Sequence, residues 1–294
     1  MDRKGVGVTS RLDKAEVGET VATIVDELRS VAAGRMPVYL DKRLGQLNGV
    51  FVAESEAMTL HEMGLHCEVL LVLGGDGTLL NSVSELGADL PAVFGLNLGA
   101  LGFLTCLPWE DYQQATRAVV ERSYVLSPRT FILVEHQRMG QSLRKLRGLN
   151  DVVISRGLSS QLIRLEARVG GELITEYYAD GLILATPTGS TAYALAAGGP
   201  IMTPQAGVFV VTPICPHVLT NRSLIIPDES EIAVTLRSDQ SATLAVDGCP
   251  GLEIRPGDQL LMRRADERLP LAMLPSTGFF DVLREKLKWT GSNV

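Results

Sequence analysis

The sequence GGDGT at residues 74–78 sets three glycines around one acid, directly after an apolar run at 69–73 and before a helical pattern at 78–86. Without Cβ atoms, Gly74, Gly75 and Gly77 let the backbone come close enough to a phosphate to donate N–H bonds. The carboxyl ends of strands are also where open α/β sheets bind ligands. Asp76 is the acid of that cradle, and a carboxylate among phosphates is repelled unless it faces a metal ion or a hydroxyl donor. Asp76 therefore reads as a general base for an attacking sugar hydroxyl, with a further role near Mg²⁺. The competing reading is a tight glycine turn in which Asp76 caps the following helix.

A second constellation, DGLILATPTGSTAYALAAGG at 180–199, runs from a strand into the hydroxyls of Thr186, Thr188, Ser190 and Thr191. Hydroxyls and exposed N–H groups at a strand-to-helix junction suit an anion or a ribose. Ala192, Ala194, Ala196 and Ala197 allow close backbone approach, and Tyr193 offers a flat face to a base. A capped helix packed on a sheet explains the same residues without a ligand. Asn150 and Asp151 open another strand; an amide beside a carboxylate can read an adenine edge or hold ribose hydroxyls, although a turn is the simpler reading of the pair alone.

The elements that must position these residues fall into two groups. Up to about residue 126, strands at 6–8, 37–40, 69–73 and 92–96 alternate with helices at 14–32, 78–86 and 109–122, a βαβ pattern that predicts a parallel sheet. From 127 to 272 the pattern is of short strands, at 130–135, 151–155, 162–169, 172–178, 181–185, 223–226, 231–236, 242–246 and 259–264, with Gly170–Gly171 as a hairpin turn. A final helix at 279–289, within 273–294, sets Phe280, Leu283 and Leu287 on one face and is expected to return to the first domain. The fold class is α/β plus β.

A chain of 294 residues with 46% hydrophobic and 21% charged residues has ample material for two folded domains. A formal charge of −7 disfavours attraction to nucleic acid or to an anionic membrane, so neither is an expected partner. The apolar stretch 90–104 is too short to span a bilayer, and the N-terminus has no secretory h-region, which together predict a cytoplasmic protein. Cys67, Cys106, Cys215 and Cys249 are scattered without a CxxC pair, so reduced thiols fit better than zinc or disulfides. Cys249 reads as a small buried side chain, His217 as a structural hydrogen-bonding residue, His61 and His66 as surface residues, and Arg263 and Arg264 as a solvated strand end.

Taken together, GGDGT, the Asn150–Asp151 pair in LNDVVI, the segment 180–199, TPICPH at 212–217, VDG at 246–248 and the closing FFDVLREKLKW resemble the NAD kinase family, in family order and across most of the chain. The resemblance implies an N-terminal Rossmann-like α/β domain, a C-terminal β-sandwich-like domain, a dinucleotide bound between them, and homodimers or homotetramers. It implies ATP with Mg²⁺ or another divalent ion as donor, NAD as substrate, and Asp76 as proton acceptor at the adenosine-ribose 2′-hydroxyl. Asp76, Gly77, Asn150, Asp151, Asp180 and the segment Thr191, Ala192, Tyr193, Ala194, Leu195 and Ala196 fall on the family's NAD-contacting positions. Three positions depart from relatives: Asn81 where some carry His or Arg, Tyr178 where others carry Arg, and Cys249 where Gln is common. A lipid kinase with a similar glycine loop and a non-catalytic NAD(P) sensor are the competing classes; the Thr186 to Tyr193 segment and the intact Asp76 weigh against them.

Overall fold

The computed structural model describes residues 4–12, 17–249 and 251–289. It divides into two compact units, Met1–Pro128 with Leu269–Val294, and Arg129–Arg268. The boundaries read from the sequence lie two and four residues away, at 126/127 and 272/273. The second division falls inside one strand, Gln259–Met273, far longer than the 259–264 expected.

In the first unit the parallel strands stand in the order Ala57–Met58, Val38–Asp41, Gly5–Ser10, Cys67–Leu73, Ala92–Asn97, with Leu271 and Ala272 pairing beyond the last. The first three strands in sequence step outward on one side, and the chain then crosses to the other side of Gly5–Ser10 to form Cys67–Leu73. That reversal is a topological switch point, with a crevice at the carboxyl ends of Gly5–Ser10 and Cys67–Leu73. Gly5–Ser10 and Ala92–Asn97 are buried throughout, which is why such strands read as continuous apolar runs.

Helices Gly18–Ala32, Leu60–His66, Asp76–Leu86, Tyr112–Glu121 and Phe279–Leu287 complete the unit. Gly18–Ala32 buries the stripe Val21, Ile24, Val25 and Leu28; residues 14–16 of the helix expected from the sequence lie outside the described residues. Phe279–Leu287 turns Val282 and Leu283 inward and leaves Phe280 exposed, which corrects the face read from the sequence. Residues 290–294 lie outside the described part.

The second unit has two antiparallel sheets. One runs Leu224–Pro227, Val208–Ile214, Gly181–Ala185, Asp151–Ser155, Ala242–Val246, Leu252–Ile254. The other joins Glu172–Ala179, Ile163–Val169, Ile232–Leu236 and the start of Gln259–Met273, with Val125–Arg138 and Gln141–Gly148 also attached. Alternate residues of both sheets, among them Ile154, Leu184, Phe209, Leu165, Val234 and Met262, meet in one core, which makes the unit a sandwich. Three strands were not expected, one of them the short Leu252–Ile254. Gln141–Gly148 is almost wholly polar and mostly exposed, so it lacks the apolar alternation of a half-buried strand, and Val208–Ile214 carries Pro213 inside an antiparallel ladder.

Candidate active site

The glycine loop follows Leu73 and leads into the helix Asp76–Leu86. Gly74 N–H donates to Leu96 O at 2.9 Å, tying the loop to the neighbouring strand. Asp76 occupies the first helical position, where the helix dipole favours an anion. Its side chain does not cap its own helix. Oδ2 accepts the Phe103 N–H at 2.9 Å and Oδ1 the Leu104 N–H at 3.0 Å.

Those donors sit in a loop that Asn97 and Thr105 pin from within. Asn97 Nδ2 donates to Ala100 O at 2.7 Å, Asn97 Oδ1 accepts the Gly99 N–H at 2.6 Å, and Gly102 N–H donates to Thr105 Oγ1 at 2.9 Å. Gly102 allows this close approach: a Cβ there would stand 1.9 Å from Asp76 Oδ1, so the carboxylate or the loop would have to shift. Nothing in the local sequence announces this loop as the holder of Asp76, because donor and acceptor are 27 and 28 residues apart.

A cavity of about 570 Å³ opens at the switch-point crevice, lined by Ser10, Arg11, Gly75, Gly77 and Asn81 together with Arg43 and Glu85. Asp76 does not line it, so the glycine loop presents its backbone to the cavity and its carboxylate to the 102–104 loop. Arg43 is held firmly: Nε and Nη2 bond the carboxylate of buried Asp41 at 3.0 and 2.6 Å, and Nη1 bonds Glu85 at 3.1 Å. The hydrogen bond to Asp41 drives the guanidinium still further above its ordinary range, with burial opposing and Glu85 assisting.

In the second unit the key arrangement surrounds the start of the strand Asp151–Ser155. Asp247, at φ 50°, accepts the backbone N–H groups of Leu149, Asn150 and Asp151 at 2.6, 2.7 and 3.1 Å. Its carboxylate thereby sets the conformation of the Asn-Asp pair, from 96 to 98 residues away. Asp151 is 5% exposed. Burial, reinforced by the nearby Asp247 carboxylate, pushes its carboxyl up to about 7. Asp247 is also raised by burial, against the opposing pull of the three N–H donors.

Asn150 positions the second signature through its backbone. Its carbonyl accepts the Thr186 N–H at 2.9 Å, and Thr186 Oγ1 donates to Leu149 O at 2.5 Å. The turn Thr188–Thr191 then presses so closely that a Cβ on Gly189 would lie 2.0 Å from Asn150 O. Ser190 spends its hydroxyl internally, donating to Pro187 O and accepting from the Met202 N–H. In the helix Tyr193–Ala196, Tyr193 and Ala196 are exposed and Leu195 is half-buried, as are Thr191 and Ala192 before it. Ala194 is fully buried against Ile183, Ala185 and Val210, so it shapes the turn and offers no surface to a ligand.

Asn150, Asp151 and the 186–196 segment thus come together, and Asp180 does not join them. The antiparallel register places Ala185 opposite Asp151 and Gly181 opposite Ser155, which sets Asp180 a strand's length away, about 17 Å at the usual rise. There its carboxylate accepts Arg156 Nε at 2.6 Å. Tyr178 sets its ring 5.6 Å from the exposed His217 ring, tilted by 55°, and it is the His217 backbone N–H that bonds, to Tyr178 O. Cys249 is exposed rather than buried, since it follows the left-handed turn at Asp247 and Gly248. Arg264 is not a free strand end: it pairs with buried Asp228 at 2.7 Å.

Comparison with known proteins decides what this set of groups belongs to. The ATP-NAD kinase N-terminal domain model matches residues 10–124, and the ATP-NAD kinase C-terminal domain model matches residues 149–274. The chain belongs to the NAD kinase family. It is 36% identical over 287 residues to an NAD kinase of Koribacter versatilis, covering 97% of this chain and 98% of that protein. It is 37% identical over 284 residues to an NAD kinase of Desulforamulus reducens, covering 96% of each. Among solved structures, yeast NADH kinase complexed with NADH superposes with a TM-score of 0.88 at 25% identity, covering 99% of this chain and 89% of that one. An Archaeoglobus fulgidus NAD kinase in complex with ATP shares the fold with a TM-score of 0.71 at 22% identity, covering 98% and 100%.

As an NAD kinase chain, the protein is an enzyme with an α/β unit carrying GGDGT and a β-rich unit carrying the Asn-Asp pair. Among the described residues no helix is long and apolar enough to cross a membrane.

Proposed function

We propose that this chain transfers the γ-phosphoryl group of ATP to the 2′-hydroxyl of the adenosine ribose of NAD, yielding NADP and ADP. The observation that carries this reading is the placement of Asp76: a carboxylate fixed by two backbone N–H groups on one side of a glycine loop whose other side backs a cavity at the switch point. Donor phosphates in that cavity meet loop N–H groups and the helix N-terminus. The acceptor hydroxyl meets Asp76, which takes its proton as the oxygen attacks the γ-phosphorus and ADP leaves. Holding the carboxylate in advance removes an orientational cost from the transition state.

Asn150 and Asp151 orient the adenosine part, with the exposed Tyr193 ring available to a flat base. Gly77, Thr191, Ala192, Leu195 and Ala196 supply close backbone approach, and Asp180 serves a more distant portion of the dinucleotide. Among the described residues no three His, Cys, Asp or Glu side chains are grouped to hold a metal. Mg²⁺ would enter on the nucleotide phosphates, with Asp76 of the glycine loop near it. When bound, the ion offsets charge on the transferring phosphoryl group. The working protein is a cytoplasmic homodimer or homotetramer.

The test is product analysis. Purified chain with Mg²⁺, ATP or polyphosphate, and NAD or NADH is expected to form NADP or NADPH, and Asp76→Asn to abolish formation while NAD still binds. Near-normal turnover of Asp76→Asn removes Asp76 from the base role, and no phosphorylated product with any donor leaves a sensing role instead.

A further inference from the structure

An oligophosphate needs cations, and the cavity beside the glycine loop offers few. Of its lining residues Arg11, Arg43 and Glu85 carry charge, while Asn81, one helical turn beyond Gly77, is neutral. We propose that Arg43 is the donor-polyphosphate contact of this chain, aimed by Asp41 and shielded by Glu85 until the phosphates displace that carboxylate. The assignment rests on the reading of the chain as a kinase that uses an oligophosphate donor.

Two unequal anchors support it. Asp41 is 1% exposed and grips Nε and Nη2, accepts the Arg43 backbone N–H at 3.0 Å, and is itself bonded by Thr9 Oγ1 at 2.8 Å. The guanidinium is therefore oriented before any ligand arrives, and a planar fork fixed in this way loses little freedom on meeting a phosphate. Glu85 is the weaker anchor, 48% exposed and attached through Nη1 alone. An exposed carboxylate pair of that kind is easily exchanged, and a phosphate offers more anionic oxygens in a geometry that the fork matches. Arg43 and Glu85 both line the cavity, so exchange requires only that Glu85 swing away.

The test uses the full chain, with steady-state kinetics in ATP and NAD and with calorimetry of ATP, tripolyphosphate and AMP. Arg43→Gln is expected to raise the KM for ATP and weaken tripolyphosphate roughly tenfold to a hundredfold, the loss of one charge-assisted phosphate pair, while AMP binding and the KM for NAD stay unchanged. Glu85→Gln is expected to tighten ATP and tripolyphosphate. Arg43→Gln also strips buried Asp41 of its charged partner, leaving the Thr9 hydroxyl and the residue 43 N–H, and lowers Tm, so a double variant separates the roles. Arg43→Gln with Asn81→Arg returns a cation to the same wall and is expected to recover ATP affinity without recovering Tm. An unchanged KM for ATP in Arg43→Gln, a parallel rise for NAD and ATP, weaker ATP binding in Glu85→Gln, or no recovery in the double variant each overturns the assignment. Tripolyphosphate binding is read without turnover, so an inactive parent refutes the kinase reading separately from Arg43.

Discussion

Replacing Gly102 by alanine tests whether catalysis depends on how Asp76 is held. The new Cβ would stand 1.9 Å from Asp76 Oδ1 and 2.5 Å from its Cγ. Gly102 is not in the left-handed region, so the effect is steric rather than a backbone penalty. Either the carboxylate or the 102–104 loop must yield by more than about 1 Å to restore van der Waals contact. At least one of the bonds from Phe103 and Leu104 is then lost, worth about 1.5–3 kcal/mol for a donor to a charged acceptor. A misplacement of about 1 Å at a reacting group lowers the rate on the order of a hundredfold. Steady-state NADP formation should therefore show kcat reduced by about two orders of magnitude with the KM for NAD little changed. A companion thermal melt should show only the modest loss of the local hydrogen bonds. Turnover within about threefold of the parent would show that Asp76 needs no fixed orientation, and the reasoning about the loop would fail.

Other outcomes follow from the second unit. Asp151 is raised from 3.8 in the ordinary range to about 7, so its contribution to stability is complete below about pH 4 and is lost as pH rises toward 7, by on the order of 4 kcal/mol. Asp151→Asn should flatten that decline, read as a smaller difference in urea midpoint between pH 5 and pH 8; an unchanged slope would show that the carboxyl does not titrate there. Gly189→Ala forces the turn off Asn150 O and should destabilise the unit by about 1–3 kcal/mol while weakening NAD binding in calorimetry; full retention of both refutes the close approach. Asp258, 1% exposed, accepts from His136 Nε2 at 2.7 Å and from Arg138 Nε and Nη2 at 2.7 and 2.8 Å. Asp258→Ala leaves those donors unpaired and should cost about 3–5 kcal/mol in denaturant unfolding, and a loss below about 1 kcal/mol would mark the cluster as solvated.

The sequence by itself determined the local chemistry and the order of elements. An apolar strand ending in GGDGT, an Asn-Asp pair opening another strand, and hydroxyl and alanine residues at a strand-to-helix junction are all written in short-range spacing, because strand and helix periodicities are local properties of the chain. The α/β unit read clearly because its parallel strands are buried on both faces, and the sandwich less completely because a polar strand such as Gln141–Gly148 has no inward alternation to announce it. Only the tertiary structure decided what holds each group. Phe103 and Leu104 fix Asp76 from 27 and 28 residues away, Asp247 fixes the Asn-Asp pair across nearly a hundred, Arg43 and Asn81 come to share one cavity, and strand register carries Asp180 away from the residues it accompanies in sequence. Such contacts depend on the closing of long loops and on which backbone can approach which side chain, as at Gly102 and Gly189. No periodicity records that, because the partner supplying the steric or hydrogen-bonding demand lies elsewhere in the chain.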